Sequence, residues 1–258
     1  LARELRRSAI RRRFWRWAGN RLRALRARMA RVIRPAGVSV VLLGPDGAGK
    51  SSVIEAIGPR LAPVFPQWTC RGFAPPLFRR LRRGLGTSTS EPHRLAARSL
   101  PTSLVRLAYW FAYYMLSFVA LRMTLARSTL ILYDRHFLDI FVDPTRYRYG
   151  GPRWMLRALW RVVPKPDLVI LLDAPAAVLQ ARKQEVPFEV TQSQREQYLQ
   201  LVRSLPNGRI VDASAPLSHV LDEVAEIVLR HSVLRRARRI VPEEVSGTRR
   251  GRKRLAPG

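Results

Sequence analysis

Eight residues near the start of the chain have the types and spacing of a phosphate-binding loop. They fit the pattern G-x-x-x-x-G-K-[ST] and are Gly44, Pro45, Asp46, Gly47, Ala48, Gly49, Lys50 and Ser51. Glycines at such positions let backbone N–H groups turn inward around an anion. The lysine then reaches the β- and γ-phosphates of a nucleotide, and the serine ligates Mg²⁺. The loop therefore predicts binding of a nucleoside triphosphate with Mg²⁺.

The segments on either side of the loop support this interpretation. An apolar run rich in β-branched residues, Val38 to Leu43, precedes the loop and predicts a strand. Residues from Ser52 to Ile57 predict the first turns of a helix. A strand, a glycine-rich turn and a helix N-terminus form the context in which this motif binds phosphate, rather than a glycine turn that merely begins a helix.

A second group of chemically able residues is Asp134-Arg135-His136, which follows another apolar run. An aspartate at the end of a buried strand near such a loop can hold the hydration shell of Mg²⁺. An adjacent arginine can grip a phosphate with two parallel hydrogen bonds. The alternative is an ion pair between neighbouring groups at a strand end. We favour the functional interpretation because the phosphate-binding loop is present.

The elements that would position these residues alternate between strand and helix. Strands are predicted at 38–43, 66–71, 129–134, 168–173 and 209–212, and helices at 103–125, 154–162, 176–182 and 216–229. Two of the apolar runs end in an acid, Asp134 and Asp173, as buried parallel strands do at the edge where open sheets bind ligands. The sequence predicts an α/β fold with a parallel sheet flanked by helices.

The charge is concentrated at the two ends of the chain. The 258 residues carry a formal net charge of +29, and we expect three parts: a basic amphipathic extension (1–36), a central domain (37–231) and a basic, disordered tail (232–258). Within the extension, Gly19-Asn20 predicts a break between two short helices. Such helices suit an anionic membrane surface, and a solvated helix packed on its own domain is an equal alternative. Nucleic-acid binding ranks third, because no reading motif accompanies the charge.

The cysteine count and the hydropathy limit the classes of protein to which the chain can belong. A single cysteine, Cys70, excludes an intrachain disulfide and suggests a reducing compartment. The apolar segment Leu107 to Leu121 is too short for a comfortable membrane span and predicts a buried or interfacial helix. The four histidines lack metal-ligand spacing with Cys70, so we expect no structural zinc. We therefore expect a cytoplasmic protein, with the inner face of the membrane as a second location.

Taken in order, these motifs resemble the thymidylate kinase-like group of P-loop nucleotide kinases. The resemblance spans about residues 37–230 and rests on the loop from Gly44 to Ser52, on Tyr133-Asp134-Arg135-His136, on Pro166 to Asp173, and on Val211-Asp212-Ala213. It implies a three-layer P-loop NTPase fold with a five-stranded parallel sheet and a LID segment that closes over ATP after the fourth strand. It also implies transfer of the γ-phosphoryl group of Mg²⁺·ATP to a nucleoside monophosphate or a related phosphorylated acceptor. Members are often homodimers through a helix equivalent to 103–125.

The resemblance also assigns roles by position. ATP would be bound by Gly44, Asp46, Gly47, Ala48, Gly49, Lys50, Ser51 and Ser52, and Mg²⁺ by Ser51 and Asp134. Lys50, Asp134, Arg135 and the LID residue Arg182 would be catalytic, with Lys183 beside them and Arg195 a weaker LID candidate. The acceptor would contact Asp46, Arg71, Arg135 and Tyr149. Tyr149 belongs to the segment 143–151, whose Tyr and Arg residues would either clamp a phosphorylated ligand or order a loop.

Several segments depart from the pattern of true thymidylate kinases. Arg71 is followed by Gly-Phe-Ala-Pro-Pro rather than Glu-Pro-Gly-Gly-Thr, and the LID from Arg182 to Glu189 is poor in arginine. With these departures, the sequence resembles divergent thymidylate kinase-like proteins that tend to accompany bacterial surface-polysaccharide biosynthesis. They leave a second hypothesis open, a nucleotide-binding regulatory or scaffold protein at the membrane surface.

Overall fold

The computed structural model describes residues 2–72, 100–184 and 186–240. Its centre is a five-stranded parallel sheet in the order β2-β3-β1-β4-β5, which confirms the predicted α/β class. The strands are β1 (Val38–Leu43), β2 (Trp68–Arg71), β3 (Leu130–Tyr133), β4 (Leu168–Asp173) and β5 (Gly208–Asp212). Strands β2 and β3 lie on one side of β1, and β4 and β5 lie on the other, so the strand order reverses at β1. In open parallel sheets, ligands bind at the carboxyl ends of the strands beside such a reversal.

Eight helices are described in the same residues. They are α1 (Ala2–Ile33), α2 (Lys50–Leu61), α3 (Leu100–Leu125), α4 (Asp139–Val142), α5 (Arg153–Val162), α6 (Ala176–Arg182), α7 (Phe188–Arg203) and α8 (Leu217–Ile240). The described part of the chain has no helix with the length and hydropathy that a membrane crossing requires.

Alternate residues of the central strands pack against different helices, as the two-residue period of a strand requires. On one face, Val40, Leu42 and Ile170 pack with apolar side chains of α2 and α8. On the other face, Val41 and Val169 pack with Tyr198 and Val202 of α7 and with Leu138. Strands β1 and β4 are therefore buried on both sides, which gives the three-layer arrangement that the resemblance implies.

A third apolar cluster lies outside this sandwich and supports the segment after β3. It joins Leu107 and Trp110 of α3, Leu156 of α5, and Phe137 and Tyr149 of the loops between them. Trp110 and Tyr147 meet edge to face, with ring centroids 6.3 Å apart. This packing holds the segment from 134 to 149 against the sheet.

Four helices differ from the sequence-based expectation. Helix α1 runs without a break through Gly19-Asn20, where we expected two helices. A single glycine inside a helix costs only about 1 kcal/mol, which the long helix tolerates. Helices α4 and α7 were not predicted at all. Helix α8 continues to Ile240, so residues 232–240 of the expected disordered tail are helical.

The end of α8 is joined to the start of the sheet by Arg235. Its guanidinium donates hydrogen bonds to the Asp167 carboxylate and to the carbonyl oxygens of Pro35 and Gly37, the last at 2.8 Å. The same carboxylate accepts hydrogen bonds of 2.8 Å from the backbone N–H and the hydroxyl of Ser39. The stretch from Pro75 to Pro92, whose Pro, Gly, Ser and Thr residues predict a loop, lies outside the described residues, and so does the tail beyond 240.

Candidate functional site

The loop from Gly44 to Lys50 has the backbone shape of a phosphate cradle. Gly44, Gly47 and Gly49 all have positive φ, at 152°, 86° and 81°. A Cβ on Gly44 would lie 2.7 Å from the Leu172 carbonyl oxygen, and one on Gly47 would lie 2.5 Å from that of Leu179. Only glycine fits these positions without strain, because side chains rarely adopt such dihedrals. The glycine spacing in the sequence is therefore required by the geometry of the loop.

Lys50 lies at the first position of α2, and its side chain turns back over the loop. Its Nζ donates to the carbonyl oxygens of Gly44 at 2.5 Å and of Pro45 at 2.9 Å. Helix α2 begins after Gly49, and because glycine has no side chain, the N-cap residue does not cap the first N–H groups of the helix. The N-terminal N–H groups and the dipole of α2 thus point to the same place as the lysine ammonium. A cation, helix N–H groups and a glycine cradle together fit a polyphosphate.

Charged side chains from distant parts of the chain surround Lys50. Burial lowers the pKa of Lys50 below the ordinary lysine value, and the positive charges of Arg135 and Arg146 act in the same direction. The carboxylates of Asp46 and Asp139 oppose this effect and raise the pKa. Lys50 therefore belongs to a mixed cluster of three basic and two acidic side chains, in which ionic interactions are strengthened by partial exclusion of water.

The loop residue Asp46 forms an ion pair with Arg146, a residue a hundred positions away. The guanidinium donates to the Asp46 carboxylate, and the two side chains are 16% and 15% exposed. Such charge-assisted, largely buried pairs hold both side chains in place. The structure thus brings an arginine from the segment 143–151 to the loop residue that the resemblance places beside the acceptor.

Asp143 shapes the loop that delivers Arg146. Its Oδ1 accepts hydrogen bonds from the Thr145 hydroxyl at 2.7 Å and from the Arg146 N–H at 3.0 Å. Its Oδ2 accepts one of 3.3 Å from Gln194 of α7. An aspartate that bonds the backbone a few residues later is the usual signature of an Asx turn. In the sequence, Asp143-Pro144-Thr145 is the signal from which an ordered turn could have been predicted.

Asp139, at the start of α4, is a buried carboxylate that the sequence analysis did not select. Its oxygens accept hydrogen bonds from the His136 N–H at 2.7 Å and from the Tyr198 hydroxyl at 2.8 Å. Burial raises the pKa of Asp139, while these hydrogen bonds and the charges of Lys50 and Arg135 lower it in part. Asp139 therefore fixes the turn that carries Asp134 and Arg135, and it adds negative charge near both cations.

Asp134 and Arg71 lie side by side at the carboxyl edge of the sheet. The Asp134 N–H donates to the Arg71 carbonyl oxygen at 3.1 Å, and Arg71 pairs with Tyr133 in the parallel ladder. Arg71 lines a cavity of about 110 Å³ between the sheet and α3, together with Phe118, Tyr133, His136 and Lys165. Among the described contacts, none joins Arg71 to the cluster around Lys50.

His136 and Tyr149 are packing residues. His136 is 2% exposed and lies edge to face with Tyr133 and Trp160. Burial, together with the positive charge of Lys165, lowers the pKa of His136 to about 3. Tyr149, expected at the acceptor, is 6% exposed and donates to the Pro152 carbonyl oxygen at 3.1 Å. Of the two roles we considered for the tyrosines of this loop, the burial of Tyr149 favours ordering the loop.

The segment after β4, where the resemblance places the LID, is described except for residue 185. Gln180 of α6 donates to the Val186 carbonyl oxygen at 2.7 Å and to the Thr191 hydroxyl of α7 at 2.6 Å. Arg182 donates to the Ala213 carbonyl oxygen at 2.7 Å, and Arg195 forms a two-pronged pair with Asp173 at 2.7 and 2.8 Å. Both arginines thus contact the carboxyl edge of the sheet, and Lys183 is exposed.

The arrangement has relatives among known proteins, although no protein-family model matches the sequence. A protein named probable thymidylate kinase from Methanospirillum hungatei is 28% identical over 204 residues, which cover 73% of this chain and 92% of that protein. A thymidylate kinase from Thermomicrobium roseum is 29% identical over 217 residues, covering 76% and 95%. The chain is therefore similar to thymidylate kinases over about three quarters of its length. The crystal structure of thymidylate kinase from Ehrlichia chaffeensis shares the fold, with a TM-score of 0.54 at 16% identity, and the match covers 75% of this chain and all of that one.

The donor atoms at the loop suit a hard divalent cation. The Ser51 hydroxyl follows Lys50 in the first turn of α2, and the Asp134 carboxylate follows β3, the strand that pairs with β1. A hydroxyl and a carboxylate are the oxygen ligands that Mg²⁺ takes in nucleotide sites, where water and phosphates supply the others. Ser51 and Asp134 are therefore the residues that would hold Mg²⁺.

Proposed function

We propose that this protein is an ATP-dependent phosphotransferase that moves the γ-phosphoryl group to a nucleoside monophosphate or a related phosphorylated acceptor. The observation that carries the proposal is the glycine cradle with Lys50 over it, together with Arg135 and Arg146, whose positive charges act on Lys50. The curated relatives, named thymidylate kinases, supply the reaction class.

On the donor side, the chain supplies a positively charged cradle. The loop N–H groups and Lys50 would bind the phosphates, with the Lys50 ammonium exchanging its carbonyl partners, Gly44 and Pro45, for phosphate oxygens. Ser51 and Asp134 would hold Mg²⁺, which would supply neutralisation of phosphate charge. Phosphoryl transfer asks the protein for position and charge rather than for covalent chemistry, so this set is sufficient on the donor side.

On the acceptor side, we propose that Arg135 and Arg146 bind the acceptor phosphate. Both influence Lys50 electrostatically and therefore lie close to the loop, and Arg146 is held there by Asp46. An incoming phosphate dianion would compete with the Asp46 carboxylate for the Arg146 guanidinium, because arginine binds both anions with the same planar geometry. A phosphate acceptor is already a nucleophile, so no side-chain base is required.

Two further assignments complete the proposal. Arg71 would bind the part of the acceptor that reaches the cavity beneath α3. Arg182 and Arg195, at the carboxyl ends of β5 and β4, would contact the nucleotide after leaving their present partners, which makes their contribution conditional on movement of α6 and α7.

The experiment is transfer of labelled γ-phosphate from ATP to a panel of dTMP, other nucleoside monophosphates and sugar phosphates, with the product identified by mass spectrometry. We expect transfer to at least one phosphorylated acceptor. Lys50→Ala should reduce kcat roughly 100-fold or more, because a preorganised charge at the transferring group is lost. Arg157→Ala, which removes an exposed arginine of α5, is the matched control and should change little. Tight ATP binding without transfer to any acceptor would overturn the proposal and favour the regulatory or scaffold hypothesis.

A further inference from the structure

Helix α1 presents a row of large apolar side chains to solvent. Leu22, Leu25, Met29 and Ile33 are each more than half exposed, and so is Trp17, which precedes them near the middle of the helix. Steps of three and four residues place Leu22, Leu25, Met29 and Ile33 on one side of the helix. We call these four residues the apolar stripe. Monomeric proteins rarely leave such a contiguous row uncovered, so it marks a contact surface.

The rest of this helix is strongly basic. Six arginines lie between residues 21 and 34, without an acidic residue among them, and all six are exposed: Arg21, Arg23, Arg26, Arg28, Arg31 and Arg34. Arg26 borders the apolar stripe on one side, and Arg21 and Arg28 border it on the other. The Arg21 guanidinium lies over the Trp17 ring, 5.2 Å from its centroid.

We infer that α1 docks in the plane of an anionic lipid bilayer, with the apolar stripe among the acyl chains and the arginines at the lipid phosphates. Charge complementarity selects this occupant. Anionic lipid attracts juxtaposed arginines, and the bilayer interface accepts apolar side chains to a depth of about 5–10 Å. This surface is separate from the phosphate-binding loop and does not depend on the proposed reaction.

Two other occupants fit the helix less well. A nucleic acid would use the arginines but would leave Leu25, Met29 and Ile33 in water, because phosphate contacts need no apolar partner. A second copy of the chain would cover the apolar stripe, but it would also bring two sets of six arginines together without an acidic partner on this part of the helix. A bilayer satisfies both halves of the surface at once.

The test is sedimentation of the full chain with phosphatidylcholine vesicles, with and without roughly a third phosphatidylglycerol. The double variant Leu25→Glu/Met29→Glu places two acids on the apolar stripe. Its matched control, Ala24→Glu/Ala27→Glu, places the same two charges on the opposite, exposed side of α1. Circular dichroism and thermal unfolding check that both variants fold.

We expect the chain to sediment with anionic vesicles and hardly at all with neutral ones. The stripe variant should bind at least about tenfold more weakly than its control, because only the former loses apolar burial. Equal loss in both variants would show that charge alone acts, and would overturn the inference. Failure to bind anionic vesicles would also overturn it. Two further results would overturn it in favour of the other occupants: an oligonucleotide that the stripe variant still binds in full, or a dimer, seen by light scattering, that only the stripe variant loses.

Discussion

At the scale of single residues, the contact between Arg146 and Asp46 would determine, under the proposed function, which groups the acceptor meets. An aspartate without a cation beside it would attract a sugar hydroxyl, whereas a paired aspartate leaves an arginine available for exchange with a phosphate. Arg146→Ala should therefore raise the KM for the phosphorylated acceptor roughly 10- to 100-fold, from the loss of about 1.5–3 kcal/mol of charged hydrogen bonding. The KM for ATP should change much less.

Steady-state kinetics with each substrate varied in turn measure this difference. Arg157→Ala is the control for loss of positive charge, since Arg157 is exposed on α5. Equal effects on the KM values of donor and acceptor would contradict the assignment of Arg146 to the acceptor.

His136 makes a second prediction at this scale, one that concerns stability. Because the pKa of His136 is about 3 in the folded chain and about 6.5 in the unfolded chain, the unfolded chain binds one more proton between these values. The stability due to its neutral form is present above pH 6.5 and is lost as the pH falls towards 3. Between pH 7 and pH 5 this single site should cost about 2 kcal/mol.

His136→Phe keeps an aromatic ring between Tyr133 and Trp160 without a group that titrates. The free energy of unfolding in urea, compared at pH 7 and pH 5, should fall less for this variant than for the natural chain, by about 2 kcal/mol. Parallel declines in the two proteins would show that His136 is not the group responsible.

At the scale of elements, one face of α7 contacts three acidic residues at the site. Gln194, Arg195 and Tyr198 bond to Asp143, Asp173 and Asp139 respectively. Tyr198→Phe removes one donor from a buried carboxylate and should lower the free energy of unfolding by about 1–3 kcal/mol. Chemical denaturation measures it, with Gln192→Ala on the exposed side of α7 as control. A loss no larger than that of the control would argue against a supporting role for Tyr198.

The strands and helices also show how accurately the sequence predicts their bounds. Strands β1 and β4 and helix α6 match their predicted bounds to the residue, because uninterrupted apolar runs and flanking Gly, Pro and Asp signal their ends. Helix α7 escaped prediction because most of its residues are polar and its stabilising partners lie far away in the chain. At the site, the loop was readable from local spacing. The Asp46–Arg146 pair was not, because only tertiary packing of the segment from 143 to 149 brings the two together.

At the scale of the whole molecule, Arg235 connects the C-terminal helix to the junction of α1 and β1. It bonds to Asp167, Pro35 and Gly37, so the predicted boundary at 231 divides a helix whose end stabilises the sheet. Arg235→Ala should reduce the free energy of unfolding by about 1–3 kcal/mol, because a carboxylate and two carbonyls lose a charged donor. The exposed neighbour Arg236 provides the control, Arg236→Ala. Similar thermal stability of the two variants would contradict this role.

The short connection between α6 and α7 has a consequence for how the two substrates communicate. Gln180 of α6 is hydrogen-bonded to α7 and to Val186, which precedes it. Helix α7 in turn contacts Asp173 at the end of β4 and Asp143 in the loop that carries Arg146. A nucleotide that shifts α6 must therefore also disturb the loop that presents Arg146. Binding of donor and acceptor should be linked energetically, each changing the affinity of the other by the same factor. Calorimetric titration of each ligand in the presence of the other would measure that factor, and a value of one would mean that α7 stays still.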